Sequence, residues 1–243
     1  VHDVTEWFEQ WFGEEYLRLY PHRDDRDAGE AVALIDRVIP LAGLRVLDLA
    51  CGPGRHAAQL AARGARTVGL DLSLPLLSRA RARTKDAVAL VRADMRRLPF
   101  RPGTFDVVVN LFTSFGYFAD DRQNAAVLEA AAVLLKSGAL FVLDYFNAAA
   151  VRDALVTTEE RMIGSERVVI RRRLSSDRRM VVKEMRLGDD GRSFVERVRL
   201  FTTEDLVHMI EAAGLVVRHQ FGDYRGGPAG PGAARVILIG VRP

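Results

Sequence analysis

The chain has 243 residues, 49% of them apolar, a formal net charge of +3 and a single cysteine. That allows one large α/β domain with an insertion, does not compel a nucleic-acid partner, and excludes an internal disulfide or a cysteine-based zinc cluster. Asp3, Glu6 and Glu9 argue against a secretory leader and no apolar run is long enough for a bilayer span, so the expectation is a cytoplasmic protein with no membrane partner.

In chain order, Val4, Trp7, Phe8, Trp11 and Phe12 fall at helical spacing. Tyr16, Leu17, Leu19 and Tyr20 extend the stripe until Pro21 stops it. Gly29 to Pro40 reads as a second helix with Val32, Ile35, Val38 and Ile39 on one face. Arg45 to Ala50 is apolar and bounded by Gly43 and Gly52, the pattern of a short buried strand. Gly52-Pro53-Gly54 then turns tightly into an alanine-rich helix that opens at Arg55 and His56. Backbone N–H groups at such a helix start favour an anionic or polar ligand group, and glycine lets the backbone approach it. Gly52 to Ala57 also fits the dinucleotide pattern G-x-G-x-x-A. Asp48 sharpens the reading. A buried carboxylate is costly unless hydrogen-bonded. A pyrophosphate turn gains nothing from a further negative charge, whereas a cationic ligand with hydroxyls and an ammonium does.

Asp48-Leu49-Ala50-Cys51-Gly52-Pro53-Gly54 resembles the first motif of the class I S-adenosylmethionine-dependent methyltransferases, D-x-G-x-G-x-G, with Ala50 in place of the first glycine. The resemblance implies a Rossmann-like α/β fold, a seven-stranded methyltransferase sheet with helices on both faces. It implies S-adenosyl-L-methionine as cofactor, held around Asp48, Ala50, Cys51, Gly52, Gly54, Arg55 and His56. In that family an N-terminal helical segment covers the cofactor and borders the acceptor pocket. Tyr16, Tyr20, His22 and Arg23 are then candidates for contacts to the methionine part or the acceptor. Plain packing of the helix on the domain is the alternative.

Thr67 to Asp71 is the second strand, and its terminal carboxylate lies about 20 residues past the glycine turn, where a Rossmann-like sheet places the acid for the ribose. Two vicinal hydroxyls need two acceptor oxygens, which one Asp supplies. Asp71-Leu72-Ser73 matches the family's second motif, with Leu72 against the adenine; Ser73 can cap the helix from Leu74 to Arg83, which frees Asp71. Val88 to Ala93 is the third strand. Ala93-Asp94-Met95-Arg96-Arg97-Leu98-Pro99-Phe100 fits the family's A-D-[MA]-x-x-L-P-F, which implies that Asp94 accepts from the adenine amino group and Met95 donates its backbone N–H to a ring nitrogen. Phe105 to Asn110 is the fourth strand, and Asn110-Leu111-Phe112 opens an aromatic loop at the ligand end of the sheet. Aromatic walls suit a sulfonium cation. The loop lacks the Asn/Asp-Pro-Pro-Tyr/Phe signature of enzymes acting on base or glutamine amides, and looks more like the small-molecule branch, including sugar N-methyltransferases.

Asp121 to Leu135 reads as an amphipathic helix and Ala139 to Tyr145 as the fifth strand, whose Asp144-Tyr145-Phe146-Asn147 end should face the acceptor. Leu134-Leu135-Lys136-Ser137-Gly138 resembles the family's L-K-P-G-G. Arg167 to Leu174, Arg178 to Leu187 and Ser193 to Phe201 form a three-stranded antiparallel insertion. Its Arg171-Arg172-Arg173 run could meet nucleic acid, but a solvated face is preferred. A helix from Thr202 to Ala213 and strands Leu215 to Phe221 and Ala234 to Val241 end the chain in the methyltransferase manner, with the last strand antiparallel. The loop between them offers Tyr224 and Arg225 to a substrate.

The domain organisation expected is an N-terminal lid (1–42), a cofactor-binding core (43–158 and 202–243) and a β insertion (159–201). The function expected is methyl transfer to a small-molecule acceptor, nitrogen ahead of oxygen. Tyr16, His22, Asn110, Asp144 and Tyr145 are the candidates at the reacting centre, with His208 a further titratable group. No metal-ligand cluster is expected, and the insertion is the expected homodimer contact. The alternatives are an RNA methyltransferase using the arginine-rich insertion, a nicotinamide oxidoreductase, which Asp48 and the terminal hairpin disfavour, and a non-catalytic scaffold.

Overall fold

A computed structural model describes residues 6–20, 25–188 and 191–243. The central sheet is built from β1 (Arg45–Leu49), β2 (Arg66–Asp71), β3 (Val88–Arg92), β4 (Phe105–Asn110), β5 (Leu135–Phe146), β10 (Val216–Phe221) and β11 (Arg235–Val241). Their order is β10-β11-β5-β4-β1-β2-β3. The strands from β5 to β3 pair in parallel, whereas β11 is antiparallel to both β5 and β10. Alternate residues serve opposite faces, as the pleat requires. Leu47, Leu49, Val108, Phe141 and Leu143 join one buried layer, while Val46, Val107, Val109 and Val142 join the other. Helices α3 (Asp25–Val38), α4 (Arg55–Ala62), α5 (Leu74–Thr84), α6 (Asp121–Leu134) and α8 (Thr203–Ala212) cover the sheet, and the short α7 (Ala148–Asp153) follows β5. Sheet order reverses between β1 and β4, so a crevice opens beyond the carboxyl ends of these strands.

A second sheet is separate from the first. It runs β6 (Thr158–Ile163), β7 (Glu166–Leu174), β8 (Met180–Leu187) and β9 (Arg192–Arg199), all antiparallel. The sequence predicts three strands here. The additional one, β6, reads TEERMI with no buried residue, so it carries no apolar alternation to read and is held by its ladder to β7.

The N-terminal stripe also divides, into α1 (Trp7–Trp11) and α2 (Glu14–Leu19). Gly13 lies at the break in an extended conformation, where it precedes α2. A glycine inside a helix costs about 1 kcal/mol relative to alanine, which favours a break there. The two short helices bury Trp11, Tyr16 and Leu19 against Val168, Ile170, Met185 and Leu187 of the second sheet. Fully burying one such side chain contributes about 1.5–3 kcal/mol. This contact sets the N-terminal helices over the crevice. Trp7 adds a tether by donating its indole N–H to the Tyr117 carbonyl at 3.1 Å.

Candidate active site

The crevice is a cavity of about 580 Å³, within the roughly 300–1,000 Å³ usual for small-molecule sites. Its floor is the glycine turn after β1 and the ends of β2 and β3; its roof is α1 and α2. Ala50 sits at φ 59°, a left-handed conformation that glycine adopts without strain. Gly54 caps α4 at φ 77°, and a Cβ there would lie 2.9 Å from the Ala80 Cβ, so this turn needs glycine for conformation and for packing of α4 on α5. Cys51 is buried and donates its backbone N–H to the Leu70 carbonyl at 2.9 Å.

Asp71 ends β2 at the cavity wall. Its Oδ2 accepts from Gly52 N and its Oδ1 from Ser73 N, each at 2.8 Å. Burial pushes its carboxyl up from the ordinary value, opposed by those backbone donors. Both oxygens are thus aimed by the backbone while each keeps a further lone pair. Ser73 caps α5 by accepting from Leu76 N at 3.2 Å, and its hydroxyl donates to the Phe12 carbonyl, which ties α5 to the roof. Leu72, Met95 and Leu111 line the cavity.

Asp94 also lines it, but its carboxylate is chelated by Arg96, whose Nη2 lies 2.6 Å away and whose guanidinium stands 4.4 Å over the Phe118 ring. Burial pushes the Asp94 carboxyl up, but the Arg96 hydrogen bonds and charge outweigh it and hold it below the usual range. Arg96 is a partner that the sequence motif leaves unspecified.

Arg55 and His56 open α4 at the cavity. The Arg55 guanidinium lies 4.8 Å over the Phe112 ring. His56 Nε2 is buried without a hydrogen-bond partner. Burial, then the charges of Arg55 and Arg235, lower its pKa to about 3, so the imidazole is neutral near pH 7.

Four expected site residues lie elsewhere. Asp48 is 1% exposed and does not line the cavity; it sits behind the glycine turn, accepts from the Ala57 backbone N–H and leaves Oδ2 without a partner. Burial, then the Asp71 charge, pushes its pKa up to about 7. Asn110 is fully buried and stitches β1 to the aromatic loop, donating to the Leu49 carbonyl at 3.1 Å and to the Ser114 carbonyl at 3.3 Å. Asp144 is buried and accepts from Phe112 N and from the Tyr224 hydroxyl, both at 2.8 Å, and from Arg235 Nε. Tyr145 is fully buried, donates its hydroxyl to the Arg199 carbonyl, and is pushed well up by burial. Asp144 and Tyr145 are enclosed by neighbouring segments of the chain and line neither cavity. His22 and Arg23 lie outside the described residues. His208 is exposed on α8, away from both cavities.

Tyr16 and Tyr20 form part of the roof. The Tyr20 hydroxyl accepts from Lys183 Nζ and donates to Met185 Sδ at 3.7 Å, so the roof is bonded to β8. A second cavity of about 580 Å³ lies between the inner face of the small sheet, α7 and the end of β5. Phe12, Phe112 and Tyr117 line both cavities and form the junction between them. Phe112 and the adjacent Thr113 adopt φ of 58° and 62°, strained for residues with side chains, and the Asp144–Arg235–Tyr224 cluster holds them there. Among the described residues no group of three or more His, Cys, Asp and Glu could hold a metal, and no helix is long and apolar enough to cross a membrane.

The first cavity therefore offers the Asp71 and Asp94 carboxylates, a neutral imidazole and aromatic rings to one ligand, and shares the rings of Phe12, Phe112 and Tyr117 with the second cavity. A family model described as a methyltransferase domain matches residues 46–138. The chain is 34% identical over 222 residues to a dTDP-3-amino-3,6-dideoxy-alpha-D-glucopyranose N,N-dimethyltransferase of Streptomyces fradiae, covering 85% of this chain and 82% of that one. The structure resembles the CcbJ methyltransferase of Streptomyces caelestis, with TM-score 0.81, 20% identity and coverage of 96% and 98% of the two chains. It also resembles the sugar N-methyltransferase KedS8 of a Streptoalloteichus species, with TM-score 0.73, 26% identity and coverage of 95% and 93%.

Proposed function

The chain belongs to the class I S-adenosylmethionine-dependent methyltransferases, with S-adenosylmethionine as methyl donor, and from that premise we propose that it methylates the amino group of a small sugar-type acceptor. The observation that carries this reading is the pair of cavities meeting at Phe12, Phe112 and Tyr117. The first takes the donor, the second the acceptor, and the methyl crosses the gate. The Streptomyces fradiae relative is named for an amino sugar, which supports nitrogen as the nucleophile.

The residues of the first cavity fit the donor. The Asp71 carboxylate, oriented by two backbone N–H groups, suits a ribose diol. Leu72 and Met95 supply apolar contact for the adenine, and the Asp94 carboxylate, already bound by Arg96, is assigned to its amino group. His56 Nε2, a buried polar atom without a partner at the cavity, and Arg55 are assigned to the methionine end together with Tyr20. Tyr16 is assigned to the aromatic roof. When bound, the donor supplies an electrophilic methyl on a sulfonium. Phe112 and Tyr117 align the acceptor nitrogen with it and keep water out, which is where most of the rate enhancement in a displacement of this kind arises. A neutral amine attacks through its lone pair and loses its proton afterwards, so no general base is required at the gate. Asp48, Asn110, Asp144 and Tyr145 act as positioning groups behind the cavity walls.

The test is single-turnover methylation of an amino sugar and of its hydroxyl analogue, following S-adenosylhomocysteine formation. Turnover of the amine alone is expected, with a rate that rises with pH as the acceptor deprotonates. Equal or faster turnover of the hydroxyl analogue would sink the nitrogen assignment.

A further inference from the structure

Where the small sheet borders the second cavity, each of its strands contributes one charged side chain. These are Glu159 on β6, Arg172 on β7, Lys183 on β8 and Glu196 on β9. Arg172 and Lys183 are directly opposed partners across the β7–β8 ladder, and Lys183 and Glu196 across β8–β9. The row therefore reads minus, plus, plus, minus. Like charges directly opposite one another on a sheet are destabilising, and this chain places such a pair at the wall of a cavity. Strand alternation splits the arginine run to do so: Arg171 and Arg173 are exposed, while Arg172 between them turns inward.

Each central cation already has a carboxylate on its outer side. Arg172 Nη2 is 2.7 Å from Glu159, and Lys183 Nζ is 3.4 Å from Glu196. Lys183 also donates to the Tyr20 hydroxyl, and Arg172 to the Val156 carbonyl at 3.4 Å. These contacts hold both cations while leaving two positive charges side by side at the centre of the row. The remaining wall is largely apolar, with Phe146, Val151, Leu155, Val181 and Val198. Arg235 on β11 adds a third cation at the gate side, its charge matched by Asp144.

We propose that the Arg172–Lys183 pair binds a phosphate-type oxyanion carried by the acceptor, as a monophosphate or as part of a diphosphate. The inference rests on the methyltransferase reading and names the charged handle of its substrate. Guanidinium gives an oxyanion two parallel N–H donors and ammonium gives a point charge, so the pair can share one group with several oxygens. Opposed side chains start about 4.5–5.5 Å apart at Cβ, close enough to converge on one phosphate. The same two charges repel an ammonium. The amino end of the acceptor is therefore directed away from the sheet, toward Phe112 and Tyr117, where the methyl is transferred.

The experiment is calorimetric titration of the full chain with inorganic pyrophosphate, a sugar 1-phosphate and thymidine diphosphate, with S-adenosylhomocysteine titrated in parallel. Saturable binding of pyrophosphate is expected, weakened at least about tenfold in Arg172→Gln and in Lys183→Gln and retained in Lys183→Arg. Arg172 does not line the first cavity, so Arg172→Gln should bind S-adenosylhomocysteine as the parent does, which also shows that it is folded. Tighter binding of thymidine diphosphate than of the sugar phosphate would support the oxyanion site with a nucleotide-borne source; equal binding would support it with the phosphate alone. Absence of binding by all three oxyanions at millimolar concentration, or affinities unchanged in both glutamine variants, would overturn the proposal. Continued methylation of a phosphate-free amine in that case would leave the methyltransferase reading intact, whereas loss of S-adenosylhomocysteine binding in the parent protein would strike that reading instead.

Discussion

At the residue scale, the two acidic residues closest to the glycine turn have opposite tasks. Asp71 faces the cavity with both oxygens oriented, so Asp71→Ala should weaken S-adenosylhomocysteine binding by more than about tenfold with the far-ultraviolet circular dichroism unchanged. Unchanged affinity would remove its ribose role. Asp48 faces inward with an unpartnered oxygen. Its folded-state pKa of about 7 lies above the ordinary 3.8, so the folded chain binds the extra proton in between. Stability from this group is present below pH 4, falls as pH rises through the window up to 7, and stays lost above it. Asp48→Asn should remove that slope. Its melting temperature should fall less than the parent's between pH 5 and pH 8, an effect on the order of 2–4 kcal/mol, checked by thermal melts across that range. Parallel curves would show that Asp48 is ionised throughout.

Elements in this fold are joined by a few polar side chains placed where loops leave the sheet. Asp144 on β5 connects Phe112 of the loop after β4, Tyr224 of the loop after β10, and Arg235 at the start of β11. Arg235→Met would leave a carboxylate that is 1% exposed without its cation. It should destabilise the protein by about 3–5 kcal/mol in urea denaturation. Gly116 is the other constraint on this loop. It sits at φ 81°, and a Cβ there would lie 2.9 Å from the Tyr145 hydroxyl, so Gly116→Ala should cost about 1–3 kcal/mol in the same assay. Sequence reasoning finds the strands because each is a short apolar run between glycines. It misses these joints because an aspartate at a strand end reads alike whether it faces solvent, ligand or a buried arginine.

For the whole molecule, the roof, the core and the small sheet close around two cavities that share an aromatic gate. Both tryptophans of the chain, Trp7 and Trp11, lie in α1. Trp7 is bonded to Tyr117 at the gate and Trp11 is buried against the small sheet. Tryptophan fluorescence, excited selectively, therefore reports the roof, and S-adenosylhomocysteine should shift its intensity or emission maximum saturably. A spectrum insensitive to saturating ligand would separate the N-terminal helices from the cavity.

The sequence by itself determined the sheet and its cofactor end. Buried parallel strands demand continuous apolar runs, and a turn at positive φ demands Gly52 and Gly54, so these features are local and legible. The place of Asp71 at the end of β2, on the cavity wall, was likewise foreshadowed by its spacing from the glycine turn, while its bond to Gly52 N was not. Only the tertiary structure decided which carboxylates line the cavity. Asp48 and Asp144 carry the same residue type as Asp71 and also stand at strand ends, yet they are enclosed by neighbouring elements. It also decided that β6 exists, since that strand has no fully buried residue and is held by its hydrogen-bond ladder. The second cavity arises the same way. Its charged row joins residues 159, 172, 183 and 196 through strand register, a relation between chain segments that no local pattern encodes.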